Sequence, residues 1–178
     1  MRPAWHGSRT TGTVHDPAGL DVAQLIELKA AGKSVRDYHA GEKLDRDALI
    51  DIECDIWIPA ARPDVVREDN VGRLRTKLVL QGANIPFSLG AEQALHDRGV
   101  LVVPDFIANA GGVICAAMEY RGATESQAFQ AIEEKIRTNV EAVLNDAAAA
   151  RVPPRQAAVR LASARVEEAM GYRRFRLM

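Results

Sequence analysis

The sequence predicts an α/β fold: a parallel sheet covered on both faces by helices, followed by an all-helical C-terminal stretch. Three observations carry this. Short apolar, β-favouring runs at 54–58, 78–80 and 100–103 alternate with helical segments, the pattern of parallel strands joined by helical crossovers. The first and third run into Pro59 and Pro104, and a residue that cannot donate to a ladder stops a buried strand. From Thr124 onward the apolar residues recur at helical spacing. The chain has 178 residues and is 47% hydrophobic, enough for a compact domain with a sizeable core.

Taken in order, residues 1–13 carry Pro, Gly, Ser and Thr without periodicity and read as a loop or disordered start. Thr13-Val14-His15 reads as a strand remnant and Asp16-Pro17-Ala18-Gly19 as a turn. Asp21 caps a short helix bearing Val22, Leu25, Ile26 and Leu28 that ends before Gly32. A short strand is expected near Ser34-Val35, and a helical turn over 45–50. Residues 64–74 read as a short helix plus connection, because Asp64, Glu68 and Asp69 gather near its start. Ser88 caps a helix through about Arg98, with Gly99 at its stop.

The 100–103 strand runs through Pro104 to Asn109-Ala110-Gly111-Gly112, and then Val113, Ala116, Ala117 and Tyr120 follow at helical spacing. Glycines there have two readings. They leave the first backbone N–H groups of a helix bare for an oxygen of a ligand, or they let the helix lie tight on the sheet. Thr124 with Gln127 forms a capping box for a helix whose apolar face is Phe129, Ile132, Ile136, Val140, Val143 and Leu144. Pro153-Pro154 breaks it and starts another, to about Met170, with Gly171 as its stop. The expected organisation is therefore 1–13 as the start, 14–122 as the α/β part and 123–178 as helices packed on it.

A net charge of −1 speaks against nucleic acid as a partner. The one basic cluster, Arg173-Arg174-Phe175-Arg176, reads as a solvated tail or a complement to a helix end. Cys54 and Cys115 make no disulfide framework and no metal spacing, and read as small core residues. His6, His15, His39 and His96 sit in no catalytic spacing, and Glu119 reads as structural, facing a helix interior. No apolar run approaches the ~20 residues of a membrane span, so the expectation is a soluble cytoplasmic protein without metal or membrane partner.

Three loops stand out. Pro59-Ala60-Ala61, Gly82-Ala83-Asn84 and Asn109-Ala110-Gly111-Gly112 each follow a strand. All three therefore fall on the carboxyl edge of one sheet, where open α/β sheets bind ligands. Small residues admit a flat ligand to the backbone, and two asparagines offer donors and acceptors together.

These segments, Asp55-Ile56-Trp57-Ile58-Pro59-Ala60-Ala61, Leu80-Gln81-Gly82-Ala83-Asn84 and Val102-Val103-Pro104-Asp105-Phe106-Ile107-Ala108-Asn109-Ala110-Gly111-Gly112-Val113, resemble the Glu/Leu/Phe/Val dehydrogenase family, above all the nucleotide-binding domain of its glutamate dehydrogenases. The likeness extends upstream through Gly12-Thr13-Val14-His15-Asp16-Pro17-Ala18-Gly19-Leu20-Asp21. It implies a partial Rossmann-like, doubly wound parallel sheet followed by C-terminal helices. It also implies NAD- or NADP-dependent oxidative deamination of an L-amino acid to a 2-oxo acid and ammonia. By the same resemblance Pro59, Ala60, Ala61 and Gly82 border the dinucleotide, while Asn84 and Asn109 contact its nicotinamide-ribose end. Val113 and Ala116 belong to the substrate pocket. Ala116 stands where many glutamate-specific members carry a serine, and its methyl cannot donate to a distal carboxylate.

The chain also departs from the family. No Gly-x-Gly-x-x-Gly occurs in it, and the catalytic lysine and aspartate of the family lie in a substrate domain with no counterpart here, so no catalytic residue is assigned. Arg9 falls where members place the group that reads the adenosine ribose; an arginine there fits a 2′-phosphate, and a scar or misplaced start is the other reading. The strand at 55–58 would lose its inner neighbour. The expectation is a homo-oligomer through that edge, a pairing with an N-terminal partner segment, or a fragment of a longer enzyme. Two functions follow: the NAD(P)-binding portion of a glutamate-type dehydrogenase, or a catalytically inactive binding or assembly module.

Overall fold

A computed structural model describes residues 7–9 and 12–173. They divide into two compact units: the chain up to Asp55 with Gly72–Thr76, and Ile56–Val71 with the chain from Lys77 on. The side chain of Arg9 and the basic residues 174–176 fall outside the described part, as does most of the 1–13 start.

The first unit holds an antiparallel sheet in the order β1-β2-β3, from Gly7–Arg9, Gly12–His15 and Glu42–Leu44. The expected loop at 7–13 is thus strand on both sides of residues 10–11. Thr13 and Val14 are fully buried in the central strand, where an apolar side chain has neighbours on both sides. Asp21 accepts from Ala23 N and Gln24 N and starts α1 (Val22–Ala30) as its sequence position predicts. Leu25 and Leu28 of this helix pack on the cluster of Val14, Leu20 and Tyr38. Val22 and Ile26 stay exposed. The strand expected near Ser34-Val35 is instead a 3₁₀ turn, Val35–Asp37, closed by a reciprocal Ser34–Asp37 capping box. The helical turn expected at 45–50 is the 3₁₀ segment Arg46–Asp51.

The second unit is built on a parallel sheet in the order β4-β5-β6, from Ile56–Trp57, Leu78–Leu80 and Leu101–Val103. The register pairs Trp57 with Val79 and Val79 with Val102, which places these three buried residues on one face. Leu78, Leu80 and Val103 take the other face, packed with Ile107, Val143, Ala147, Ala157 and Ala158. Both faces of β5 and β6 are covered, as a parallel sheet requires. The helices are α2 (Leu89–Asp97), α3 (Asp105–Ala108), α4 (Gly111–Tyr120), α5 (Glu125–Ala150) and α6 (Pro154–Arg173).

Several boundaries match their chemical signals. Ser88 accepts from Ala91 N at the start of α2, and Gly99 follows its end at φ +76°, a conformation that glycine adopts freely. The Thr124–Gln127 capping box is formed in both directions. Two expectations fail. Only Val71–Arg73 of residues 64–74 turns helically, as a 3₁₀ segment, while Val66 bridges Phe87 in parallel and Asp64 is left-handed at φ +52°. The α6 helix runs through Gly171 to Arg173, since no residue from 162 to 172 is buried and nothing packs where the glycine would end it. On α5 the buried line is Ala128, Val143 and Ala147, while Phe129 is exposed. The rest of that face, Ile132, Ile136, Val140 and Leu144, is half-buried where α5 packs against α3, α4 and α6.

Candidate functional site

The first two loops leave the carboxyl ends of β4 and β5. The third stretch, 109–112, does not leave β6 directly, because the helical turn α3 intervenes and Gly111 and Gly112 already belong to α4. The second loop touches both of the others. The Pro59 carbonyl accepts from Ala83 N–H at 2.7 Å. A Cβ on Gly82 would stand 3.0 Å from the Cβ of Ala60, so the close approach of these two loops rests on glycine. Between the second and third loops, Asn109 Nδ2 donates to Asn84 Oδ1 at 2.8 Å. That bond leaves the Asn84 amide nitrogen and the Asn109 amide oxygen without a side-chain partner among the described residues. One donor and one acceptor thus lie side by side on an accessible edge, the complement of a carboxamide. Ala60 and Ala61 are exposed beside them, and Pro59 is buried.

The glycines that open α4 serve neither conformation nor tight packing. A Cβ on Gly112 meets nothing within 4 Å, and one on Gly111 meets only Ile132 Cγ2 at 3.6 Å. The first turn has no side-chain cap. Of the two readings of these glycines, the geometry favours open backbone over close helix–sheet contact. Val113 is 78% exposed and Ala116 is exposed on the same helix.

Beneath the loops lies a polar network that sequence reasoning missed. Gln81, fully buried, donates through Nε2 to Glu92 Oε1 at 2.6 Å and accepts at Oε1 from Asp105 N–H at 3.1 Å. Arg155 donates from Nε to Glu92 Oε2 at 2.6 Å and from Nη2 to Glu92 Oε1 at 2.7 Å. The same Nη2 reaches Asp105 Oδ1 at 2.9 Å and Gln81 Oε1 at 3.0 Å. Asp105 Oδ2 accepts from Ile85 N–H at 2.8 Å. The ring of Phe106 lies 5.5 Å from the guanidinium carbon. Arg155 lies 50 to 74 residues from its partners in the chain, so no local pattern could have announced it.

The model of the glutamate/leucine/phenylalanine/valine dehydrogenases matches residues 7–174. The chain belongs to that family. It is similar to the NADP(+)-dependent glutamate dehydrogenase of Pyrobaculum calidifontis, 42% identical over 78% of the chain and 34% of the relative. With the glutamate dehydrogenase of Aeropyrum pernix the identity is 33% over 77% of the chain and 34% of the relative. In fold it resembles a hetero-hexameric glutamate dehydrogenase from Thermus thermophilus, with a TM-score of 0.81 over 96% of this chain and 42% of that one, at 24% identity. The chain spans about a third of the length of these curated relatives.

For a member of this dehydrogenase family, the electrostatics of the edge are set by the network. Burial alone would raise the Asp105 carboxyl, but the Ile85 N–H and the Arg155 guanidinium outweigh it and hold its pKa below the usual carboxylate value. Burial likewise opposes charge on Arg155, and its pairing with Glu92 and Asp105 more than offsets that. Burial raises the Cys54 thiol, with a hydrogen bond to Thr76 opposing it, and burial with the Glu119 carboxylate raises Cys115. Neither is a core residue; both are half-buried, and Cys115 Sγ lies 3.8 Å from Glu119 Oε1. Glu119 itself is exposed, so the expected interior position is corrected. It lines a cavity of about 410 Å³ with Cys115, Thr124, Phe129 and Ile132. Among the described residues no cluster could hold a metal, and no helix is long and apolar enough to cross a membrane.

Proposed function

We propose that this chain supplies the nicotinamide-facing edge of a glutamate-type amino-acid dehydrogenase, which deaminates an L-amino acid to a 2-oxo acid and ammonia with NAD or NADP, in the cytoplasm. The observation that carries this is the asparagine pair: a free amide donor and a free amide oxygen, joined by the Asn109–Asn84 bond, beside the small residues Ala60, Ala61 and Gly82. These residues fit the carboxamide end of a nicotinamide dinucleotide. A nicotinamide held there would supply the ring that takes up the hydride removed from the substrate α-carbon.

What this chain's residues do is bind and orient. Asn84 and Asn109 fix the plane of a carboxamide, and Pro59, Ala60, Ala61 and Gly82 let a flat ring approach the backbone. Open N–H groups at Gly111 and Gly112 favour an oxygen near the start of α4. Val113 and Ala116 form one wall for the amino-acid side chain. Because Ala116 has no hydrogen-bond donor, an apolar side chain suits that wall better than a second carboxylate. In this reading residues 14–122 are a dinucleotide-binding part without the glycine fingerprint, and 123–178 are helices packed on it. Ile56 and Ile58, each about half-exposed on an edge strand at 52% and 53%, make β4 the surface for a second copy or an N-terminal partner segment.

The test is a fluorescence titration of NADPH and NADH, first with the chain alone and then with the substrate domain of a glutamate dehydrogenase added. Binding that N84A/N109A weakens at least tenfold supports the reading. Absence of binding in both settings overturns it and leaves an inactive assembly module as the account.

A further inference from the structure

The Gln81–Glu92–Asp105–Arg155 network does more than satisfy buried groups. It joins four pieces of chain far apart in sequence: the end of β5, the first turn of α2, the start of α3 and the start of α6. Its members are well covered, with 5% of Glu92 and 7% of Asp105 exposed, and its hydrogen bonds span 2.6–3.1 Å. Two of these links reach straight into the candidate edge. Asp105 begins the helix whose C-cap is Asn109, and Asn109 N–H donates to the Asp105 carbonyl at 2.8 Å. Asp105 Oδ2 also holds the N–H of Ile85, the residue after Asn84, at 2.8 Å.

That N–H belongs to a strained residue. Ile85 is β-branched yet left-handed at φ +50°, a conformation that L side chains hold only when their surroundings impose it. Its carbonyl accepts from Asp64 N–H at 3.0 Å, itself left-handed at φ +52°. A carboxylate aimed at Ile85 N–H is one such imposition, and Arg155 aims that carboxylate by binding its other oxygen.

We propose that Arg155 is a positioning residue for this edge: its one guanidinium, shared by Glu92 and Asp105, fixes the 81–85 loop against α3 and so keeps Asn84 and Asn109 paired. The clamp rests on geometry alone; its consequence for nicotinamide binding rests on the proposed function. The guanidinium reaches these acceptors from two nitrogens of one rigid plane, Nε and Nη2, whereas a lysine ammonium offers its donors from a single flexible point.

The experiment compares amide hydrogen exchange in the wild-type chain, R155M and R155K, together with NADPH titration. In R155M the Ile85 and Asp105 amides lose protection at least tenfold, while Val79 in β5 and Val143 in α5 change less than threefold. R155K stays folded and shows the same selective loss, and NADPH affinity falls about tenfold in both variants. Protection at Ile85 within twofold of wild type overturns the clamp. So does a loss shared equally by Val79 and Val143, or failure of both variants to fold, since either makes Arg155 a global prop. If the wild-type chain binds no NADPH, the cofactor reading falls while the exchange pattern still decides the clamp.

Discussion

At Ile85 the backbone holds a conformation its side chain opposes. A left-handed L-residue with a branched Cβ costs roughly 1–2 kcal/mol relative to the right-handed alternatives, and the following Pro86 pushes its predecessor toward extended backbone instead. Its side chain is 64% exposed, so little burial compensates. Ile85→Gly removes the strain and loses roughly 0.5–1 kcal/mol to the greater freedom of an unfolded glycine. The expected result is a urea midpoint at or slightly above wild type, where an isoleucine truncation normally lowers it. A loss beyond about 1 kcal/mol shows that the side chain, not the clamp, holds the loop. Nothing in the local sequence foretold this: Ile85-Pro86 reads as extended chain. Gly82 was read as admitting a ligand; what its missing Cβ admits here is Ala60 of the neighbouring loop.

Between elements, legibility follows the range of the interaction. Helix α5 could be bounded from Thr124, Gln127 and Pro153 because its caps are made within four residues. The segment 64–74 could not: its acidic residues suggested a helix start, but the Val66–Phe87 bridge and the Asp64–Ile85 hydrogen bond draw it alongside the β5–α2 connection. Long-range pairing overrode local preference. The Arg155 network belongs to the same class, and it sets a pH response. The folded pKa of Asp105 lies below the ordinary 3.8, so the stability this carboxylate adds is complete above that value and lost as pH falls through the folded one. Arg155 stays charged throughout that range, and protonating Asp105 leaves it facing a weakened partner set. Breaking a buried pair costs about 3–5 kcal/mol, and the lower end applies because 22% of the Arg155 side chain stays exposed. Urea stability measured between pH 7 and pH 2.5 should hold above about pH 4 and then fall more steeply in the wild-type chain than in R155M. Parallel acid limbs in the two proteins remove Arg155–Asp105 from the acid response.

For the whole molecule, the parallel sheet explains what it still exposes. Helices α5 and α6 cover β6 and β5 through Val103, Leu80 and Leu78. Over β4 that same face is open: Ile56 pairs in register with Leu78 yet is 52% exposed, and Ile58 is 53% exposed. The opposite face of β4 is closed by Trp57 against Phe87, edge to face at 5.9 Å. Among the described residues β4 pairs with β5 alone, so one row of backbone donors and acceptors is presented beside two isoleucines. Such an edge invites another strand, and natural sheets blunt edges with charge, above all lysine. None of residues 56–58 is charged. The chain should therefore associate with rising concentration in sedimentation velocity, through β4. Ile56→Lys places a charge on the exposed face without disturbing Trp57, and should return the population to monomer with its melting temperature within a few degrees of wild type. If I56K associates as strongly as wild type, assembly uses another surface, and the exposed isoleucines are merely the side of a sheet that no helix reaches.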